Sequence, residues 1–143
     1  MPRYLADTSI WLWANSPRRP DIRQKLAQRV AADDVVTCVP VALEVMHRPD
    51  TSSKYEQQFQ AFFEPLGWLP LTEEIGQRAM EIQRLLAATS HGAHRRPPSD
   101  FLIAAIAEAY EGIVLWCFDK DFRIIAELTG QPLEEEASSG AGR

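Results

Sequence analysis

Cysteine is nearly absent from this 143-residue chain: Cys38 and Cys117 are the only two. Neither belongs to a CxxC or Cys/His spacing, so a zinc ribbon and a disulfide framework are excluded, and both read as small buried hydrophobes. No apolar run approaches the length needed to cross a bilayer. The stretch before Asp7 is too short and too polar for a signal peptide, so the expected location is the cytoplasm, with no membrane partner. A basic excess is missing as well: the formal net charge is −5, which argues against passive adhesion to nucleic acid through bulk charge. Internal repeats and internal linkers are also lacking, and the length fits one domain.

What is present is an alternation of strand and helix signals. Arg3 to Ala6 reads as a short strand closed by Asp7-Thr8-Ser9, and Ile10 to Ala14 as the first turns of a helix. Pro17-Arg18-Arg19-Pro20 interrupts it before a helix from about Asp21 to Ala32. Val35 to Val39 is β-branched and continuous, as in a strand buried on both faces. A helix starts near Pro40 and ends at His47 to Asp50, and another runs from Ser53 to Glu64. Trp68 to Leu71 reads as an edge strand because of its proline. Thr72 caps a helix carrying Ile75, Ala79, Ile82 and Leu86 at helical spacing. After a loop from His91 to Pro98, Ser99 is expected to cap a helix through Glu111. A strand from Ile113 to Phe118 and a helix from Asp121 to Leu128 complete the pattern. Such alternation predicts a central parallel sheet between two helical layers, an α/β sandwich over residues 1–130. Residues 131–143, rich in Glu, Ser, Gly and Ala, read as a disordered tail.

The informative residues are acids set in apolar sequence. Asp7 is the only acid before Ser16, and Glu44 is the only charge between Val35 and Met46. Asp100 opens an almost wholly apolar helix, while Asp119 and Asp121 follow the strand ending at Phe118. An ionised carboxylate is costly to bury, so each needs a cation or a route to solvent. Strand carboxyl ends in a parallel sheet share one edge, where ligands bind, and Asp7 and Asp119 both follow strands. Several carboxylates gathered there would repel one another unless a cation were present. Oxygen donors of this kind select Mg²⁺ or Mn²⁺ and suit phosphodiester hydrolysis. Each acid alone also has a plainer reading. Asp7 or Ser9 can cap a helix, Glu44 can pair with His47 or Arg48, Asp100 can favour a helix dipole, and Asp119-Lys120-Asp121 can form a turn with a cap.

As an ordered set, these segments resemble a known family. Leu5-Ala6-Asp7-Thr8-Ser9, Val41-Ala42-Leu43-Glu44-Val45, Pro98-Ser99-Asp100-Phe101 and Phe118-Asp119-Lys120-Asp121-Phe122 are similar to the four acidic motifs of PIN domains, in the family's order. The resemblance spans Tyr4 to about Leu128, and a short single-domain chain of this type most resembles VapC toxins of bacterial toxin–antitoxin pairs. It implies a PIN-like three-layer α/β/α sandwich and an endoribonuclease using Mg²⁺ or Mn²⁺. It further implies a homodimer and neutralisation by a VapB-type antitoxin. Carried over by position, Asp7, Glu44, Asp100 and Asp119 form the acidic quartet. Asp121 is a further acid near the metal, and the division of roles between Asp119 and Asp121 stays open. Thr8 or Ser9 would orient a carboxylate or a water, Ser9 being favoured. One departure is that Cys117-Phe118 stands where many relatives place a polar residue.

Substrate phosphates require positive charge. Arg18 and Arg19 in the first loop, and Arg95 and Arg96 before Asp100, are the candidate RNA contacts, with His91 and His94 beside the second pair. Trp11, Trp13, Phe59, Phe62 and Phe63 read mainly as core, and the resemblance implies that some line a groove for an antitoxin segment. The competing readings are weaker. A haloacid-dehalogenase-type phosphatase needs an acid where Ser9 stands, and a receiver domain needs a paired acid near the first strand. A non-catalytic PIN scaffold that binds RNA or a protein partner is the remaining alternative.

Overall fold

A computed structural model describes residues 2–89, 92–118, 120 and 122–137. Five strands and seven helices alternate along the described residues in the order β1 (Arg3–Ala6), α1 (Thr8–Ala14), α2 (Pro20–Ala31), β2 (Val35–Thr37), α3 (Val39–Val45), α4 (Ser52–Phe62), β3 (Gly67–Trp68), α5 (Glu73–Thr89), α6 (Pro98–Ala109), β4 (Ile113–Phe118), α7 (Arg123–Thr129) and β5 (Leu133–Glu136). The strands form one sheet in the order β3-β2-β1-β4-β5. Every pairing is parallel, with Leu5 opposite Val36 on one side and Leu115 on the other.

The chain steps from β1 towards β2 and β3, returns across the sheet to β4, and then steps outward to β5. Right-handed crossovers put α1 to α4 on one face and α5 to α7 on the other. Helix α6 accordingly packs against α5, α7 and β4. The strand order reverses between β1 and β4, and in open parallel sheets the crevice beyond the carboxyl ends at such a reversal is where ligands bind.

The core is made of residues that read as apolar strand and helix faces. Leu5, Val36 and Leu115 from the sheet, Ile10 and Ile22 from the first layer, and Ile82, Leu86, Ile103 and Ile106 from the second are buried. On the α2 side the sheet face is aromatic. Arg29 lies over the ring of Tyr4 at 3.7 Å and over that of Trp116 at 4.4 Å.

Several boundaries differ from expectation. Val39 begins α3, because a proline at the second helical position favours helix over a longer strand. Helix α6 starts at Pro98, with Pro97 at the cap position, so Ser99 lies inside the first turn and makes no cap. Strand β3 has two residues, Gly67 and Trp68, and is an edge strand as its neighbouring proline implied. The tail expected to be disordered from residue 131 instead supplies β5 at the other edge. Its acids are neutralised by cations from neighbouring helices. Arg29 binds Glu134 through both terminal nitrogens, Lys25 reaches Glu134 at 3.3 Å and Glu136 at 2.6 Å, and Arg123 reaches Glu135 at 3.1 Å. Trp116 donates its indole N–H to Glu136 at 2.9 Å. Composition alone counts three glutamates as solvating; partners remote in sequence turn them into a strand. Both cysteines are buried thiols, as expected. No described helix is long and apolar enough to cross a membrane.

Candidate active site

Strand β1 ends at Ala6, and the chain turns at once into α1. Asp7 is the N-cap of that helix: its Oδ1 accepts the Ile10 amide at 3.3 Å. The plain capping reading of Asp7 is therefore correct, and it does not exclude the functional one. Asp7 is 5% exposed, and Ser9 Oγ donates to the same Oδ1 at 2.5 Å. Thr8 turns the other way and donates to Glu44 Oε1 at 2.9 Å. The two hydroxyls thus bond different acids, Ser9 to Asp7 and Thr8 to Glu44.

Glu44 projects from α3, which contacts both α1 and α6. It makes no ion pair with His47 or Arg48 among the described residues. Asp100 lies in the first turn of α6, where a carboxylate favours the helix dipole. Arg96 Nε donates to Asp100 Oδ2 at 3.0 Å. Asp7, Glu44 and Asp100, with Thr8, Ser9, Leu12, Arg96 and Pro97, line one cleft of about 390 Å³ beyond the end of β1. Three acids separated by up to 93 positions share it. Size does not single it out. A cleft of about 530 Å³ lies at the amino-terminal ends of β1, β4 and β5, but there Glu108 is already paired with Arg78 at 2.7 Å.

Asp119, Asp121 and His91 lie outside the described residues. Of the expected RNA contacts, Arg18 and Arg95 are exposed. Arg19 is not available in that way. It is 5% exposed, binds Asp21 with two nitrogens, donates to the Ala137 carbonyl at 2.7 Å and covers the Phe118 ring at 5.2 Å. A pair of adjacent arginines in a loop read as one cationic patch; packing sends one to solvent and the other beneath the C-terminal strand. Arg96 is mostly buried in the cleft itself. Its pairing with Asp100 has an i,i+4 spacing that was visible in sequence, whereas Thr8–Glu44 spans 36 positions and had no sequence signal.

The donors suit a hard divalent cation, since all three acids offer carboxylate oxygen and the described lining contains no histidine or cysteine. Among the described residues no three acids converge tightly enough to hold one ion by themselves. The cleft fits a hydrated ion held by a few carboxylates, the usual habit of Mg²⁺.

A second concave surface is apolar. Trp11, Ala14, Leu26, Ala27, Val30 and Phe62 from α1, α2 and α4 line a groove of about 450 Å³. Of the large aromatics, Phe63 is wholly buried and Trp11 nearly so, while Phe62 and Phe59 are half-buried against the core.

Residues 4–128 match the PIN domain family. The chain is 31% identical over 133 residues to Ribonuclease VapC18 of Mycobacterium tuberculosis, covering 92% of this chain and 93% of that one. It is 35% identical over 135 residues to Ribonuclease VapC51 of the same organism, covering 92% and 91%. Among solved structures, the fold is similar to that of DNA-bound VapBC from Salmonella typhimurium, with a TM-score of 0.70 and 16% identity over 94% of this chain and 98% of that one. It is likewise similar to VapBC2 from Rickettsia felis bound to a promoter DNA fragment, with a TM-score of 0.72 and 17% identity over 92% and 97%.

Proposed function

This chain belongs to the PIN-domain family, and from that premise we propose that it is a VapC-type endoribonuclease, the toxin of a toxin–antitoxin pair, acting in the cytoplasm with Mg²⁺ or Mn²⁺. The single observation that carries the reading is the shared cleft: Asp7, Glu44 and Asp100 reach it from three different helical segments at the strand-order reversal. Asp119 and Asp121, which follow β4 in sequence, are the further acids assigned to this set by the family's motif order. Identities of 31% and 35% to proteins named ribonucleases, over nine-tenths of each chain, support the choice of substrate.

When bound, a divalent cation in such a set lowers the pKa of a coordinated water and stabilises charge on the phosphate. The protein's part is to hold the carboxylates charged and correctly turned. Ser9 and the Ile10 amide fix Asp7, and Thr8 fixes Glu44. Hydrogen-bonded partners of ligating carboxylates tune affinity and activity in this way. Arg95, next in sequence to the cleft-lining Arg96, and Arg18 are both exposed and supply positive charge to the RNA backbone. The groove between α1, α2 and α4 receives an apolar segment of a VapB-type antitoxin, a helix-in-groove mode of recognition. The enzyme works as a homodimer.

The test is cleavage of a mixed RNA substrate by the full chain with EDTA, with added Mg²⁺ or Mn²⁺, and with Asp100→Asn. Cleavage that needs the ion and fails in the variant supports the reading. RNA binding without cleavage under every condition would instead make the protein a non-catalytic PIN scaffold.

A further inference from the structure

We propose that Arg96 is the resident counter-ion of the carboxylate cleft: it neutralises Asp100 in the ion-free protein and yields that carboxylate when a divalent cation loads. Ion occupancy is then gated by the chain's own guanidinium. The inference rests on the metal reading of the same cleft.

The geometry carries it. Arg96 Nε is 3.0 Å from Asp100 Oδ2, and the two side chains are only 15% and 19% exposed. Arg96 lines the same cleft as Asp7 and Glu44, so its charge sits inside the acidic set rather than beside it. Its guanidinium carbon lies 5.6 Å from the centre of the Phe122 ring, which gives the planar group an aromatic support. Pro97, restricted by the proline after it, is extended, and Pro98 opens α6, so the backbone between Arg96 and Asp100 is fixed. Release of Asp100 is therefore a matter of side-chain rotation and needs no loop rearrangement.

The chemistry sets the two occupants in competition. An arginine does not lose its proton in a protein, so titration of Arg96 does not free Asp100. Arg96 occupies a lone pair of Asp100 Oδ2, and its positive charge repels an arriving dication. Carboxylates gathered without a cation repel one another, and Arg96 relieves that repulsion while the ion is away. Apparent ion affinity is then reduced by the fraction of molecules in which Arg96 still holds Asp100. Because such coupling is reciprocal, ion binding loosens Arg96 by the same factor.

The experiment is a Mn²⁺ titration by calorimetry on the full-length wild type, Arg96→Gln and Arg95→Gln, with thermal melting of each in EDTA and in Mn²⁺. Arg96→Gln is expected to bind Mn²⁺ roughly fivefold to tenfold more tightly than wild type. It should melt below wild type in EDTA and recover the difference in Mn²⁺. Arg95→Gln removes the same charge from an exposed neighbour and should track wild type. Equal or weaker Mn²⁺ binding by Arg96→Gln overturns the proposal, and so does equal tightening by Arg95→Gln, which would reveal only a bulk field. If Arg96→Gln does not fold, Arg96→Lys decides: affinity above wild type supports the gate, and affinity at or below it overturns it. Absence of Mn²⁺ binding in all of these proteins overturns the metal reading together with the gate, whereas intact binding of equal strength overturns the gate alone.

Discussion

Ser9 Oγ and Asp7 Oδ1 stand 2.5 Å apart, and the Ile10 amide approaches the same oxygen from 3.3 Å. One carboxylate oxygen of Asp7 is thereby tied to its own helix start, which sets the plane of the whole group. The same aspartate serves as helix cap and as candidate ion ligand, and these two roles are separable by mutation.

Asp7→Asn retains a good N-cap and removes the charge. RNA cleavage should fall at least about a hundredfold while the melting temperature changes little, because Asn and Asp cap helices about equally well. Asp7→Ala should lose cleavage and also about 1 kcal/mol of stability. Single-turnover cleavage and thermal melting of the two variants check this. Asp7→Asn with wild-type cleavage would remove Asp7 from the site.

Ser9→Ala and Thr8→Val each free one carboxylate from its hydroxyl. Loss of an outer partner of a ligating group typically costs about 10- to 100-fold in metal affinity or activity. The double variant should lose more than either single one, since the hydroxyls act on different acids. Unchanged Mn²⁺ affinity and cleavage in both single variants would show that the hydroxyls do not orient the acids.

Arg29 binds Glu134 through both terminal nitrogens and lies over Tyr4 and Trp116, so it fastens α2 to both the sheet face and β5. Arg29→Lys keeps the charge but loses the fork and the stacked plane, which makes it a poor substitute. Urea unfolding should show a loss of about 1–2 kcal/mol, in the range of a desolvated cation–π contact. No measurable loss would show that the stack is incidental.

The acidic strand should respond to pH at both extremes. Burial raises the Glu134 carboxyl, but hydrogen bonds from Arg29 and the charges of Arg29 and Lys25 outweigh it and leave the group below its ordinary 4.5. Its contribution to stability is thus full above that value and disappears as pH falls through the lower folded value. Lys25 behaves conversely. Burial alone would lower it, yet Glu136 and Glu134 hold it above its ordinary 10.5, so its contribution is present below that value and is lost as pH rises through the higher folded one. Amide exchange at residues 133–136 should accelerate at low pH in wild type relative to the core, once intrinsic rates are divided out, and much less in Glu134→Gln.

Burial pushes the Cys38 thiol up to about 12. The thiolate is the reactive form, so Cys38 should resist iodoacetamide at pH 8 in the native protein and react only after unfolding. Native-state alkylation followed by mass spectrometry gives the answer, and rapid labelling would contradict the burial.

The alternating pattern was legible because β-branched runs such as Val35 to Thr37 and the spaced apolar positions Ile75, Ala79, Ile82 and Leu86 each declare a local period. The acids at 7, 44 and 100 were legible because charge inside apolar sequence needs a reason. Features that depend on remote partners were not. Nothing near Glu134 in sequence announces Arg29, and nothing near Arg19 announces Ala137. In sequence Arg96 reads as a contact for RNA because it sits in a basic loop, although its four-residue spacing from Asp100 also allows the internal pair.

The position of β4 between β1 and β5 has a consequence for biosynthesis. A ribosome releases β1, β2 and β3 long before the strand that must enter the middle of the sheet. Until residues 113–118 emerge, Leu5 has a partner on one side only. The acidic cleft opens at that same junction, so a partly synthesised polypeptide lacks one of its walls. An acidic cleft that needs both walls therefore cannot assemble on a chain that has yet to place β4 beside β1.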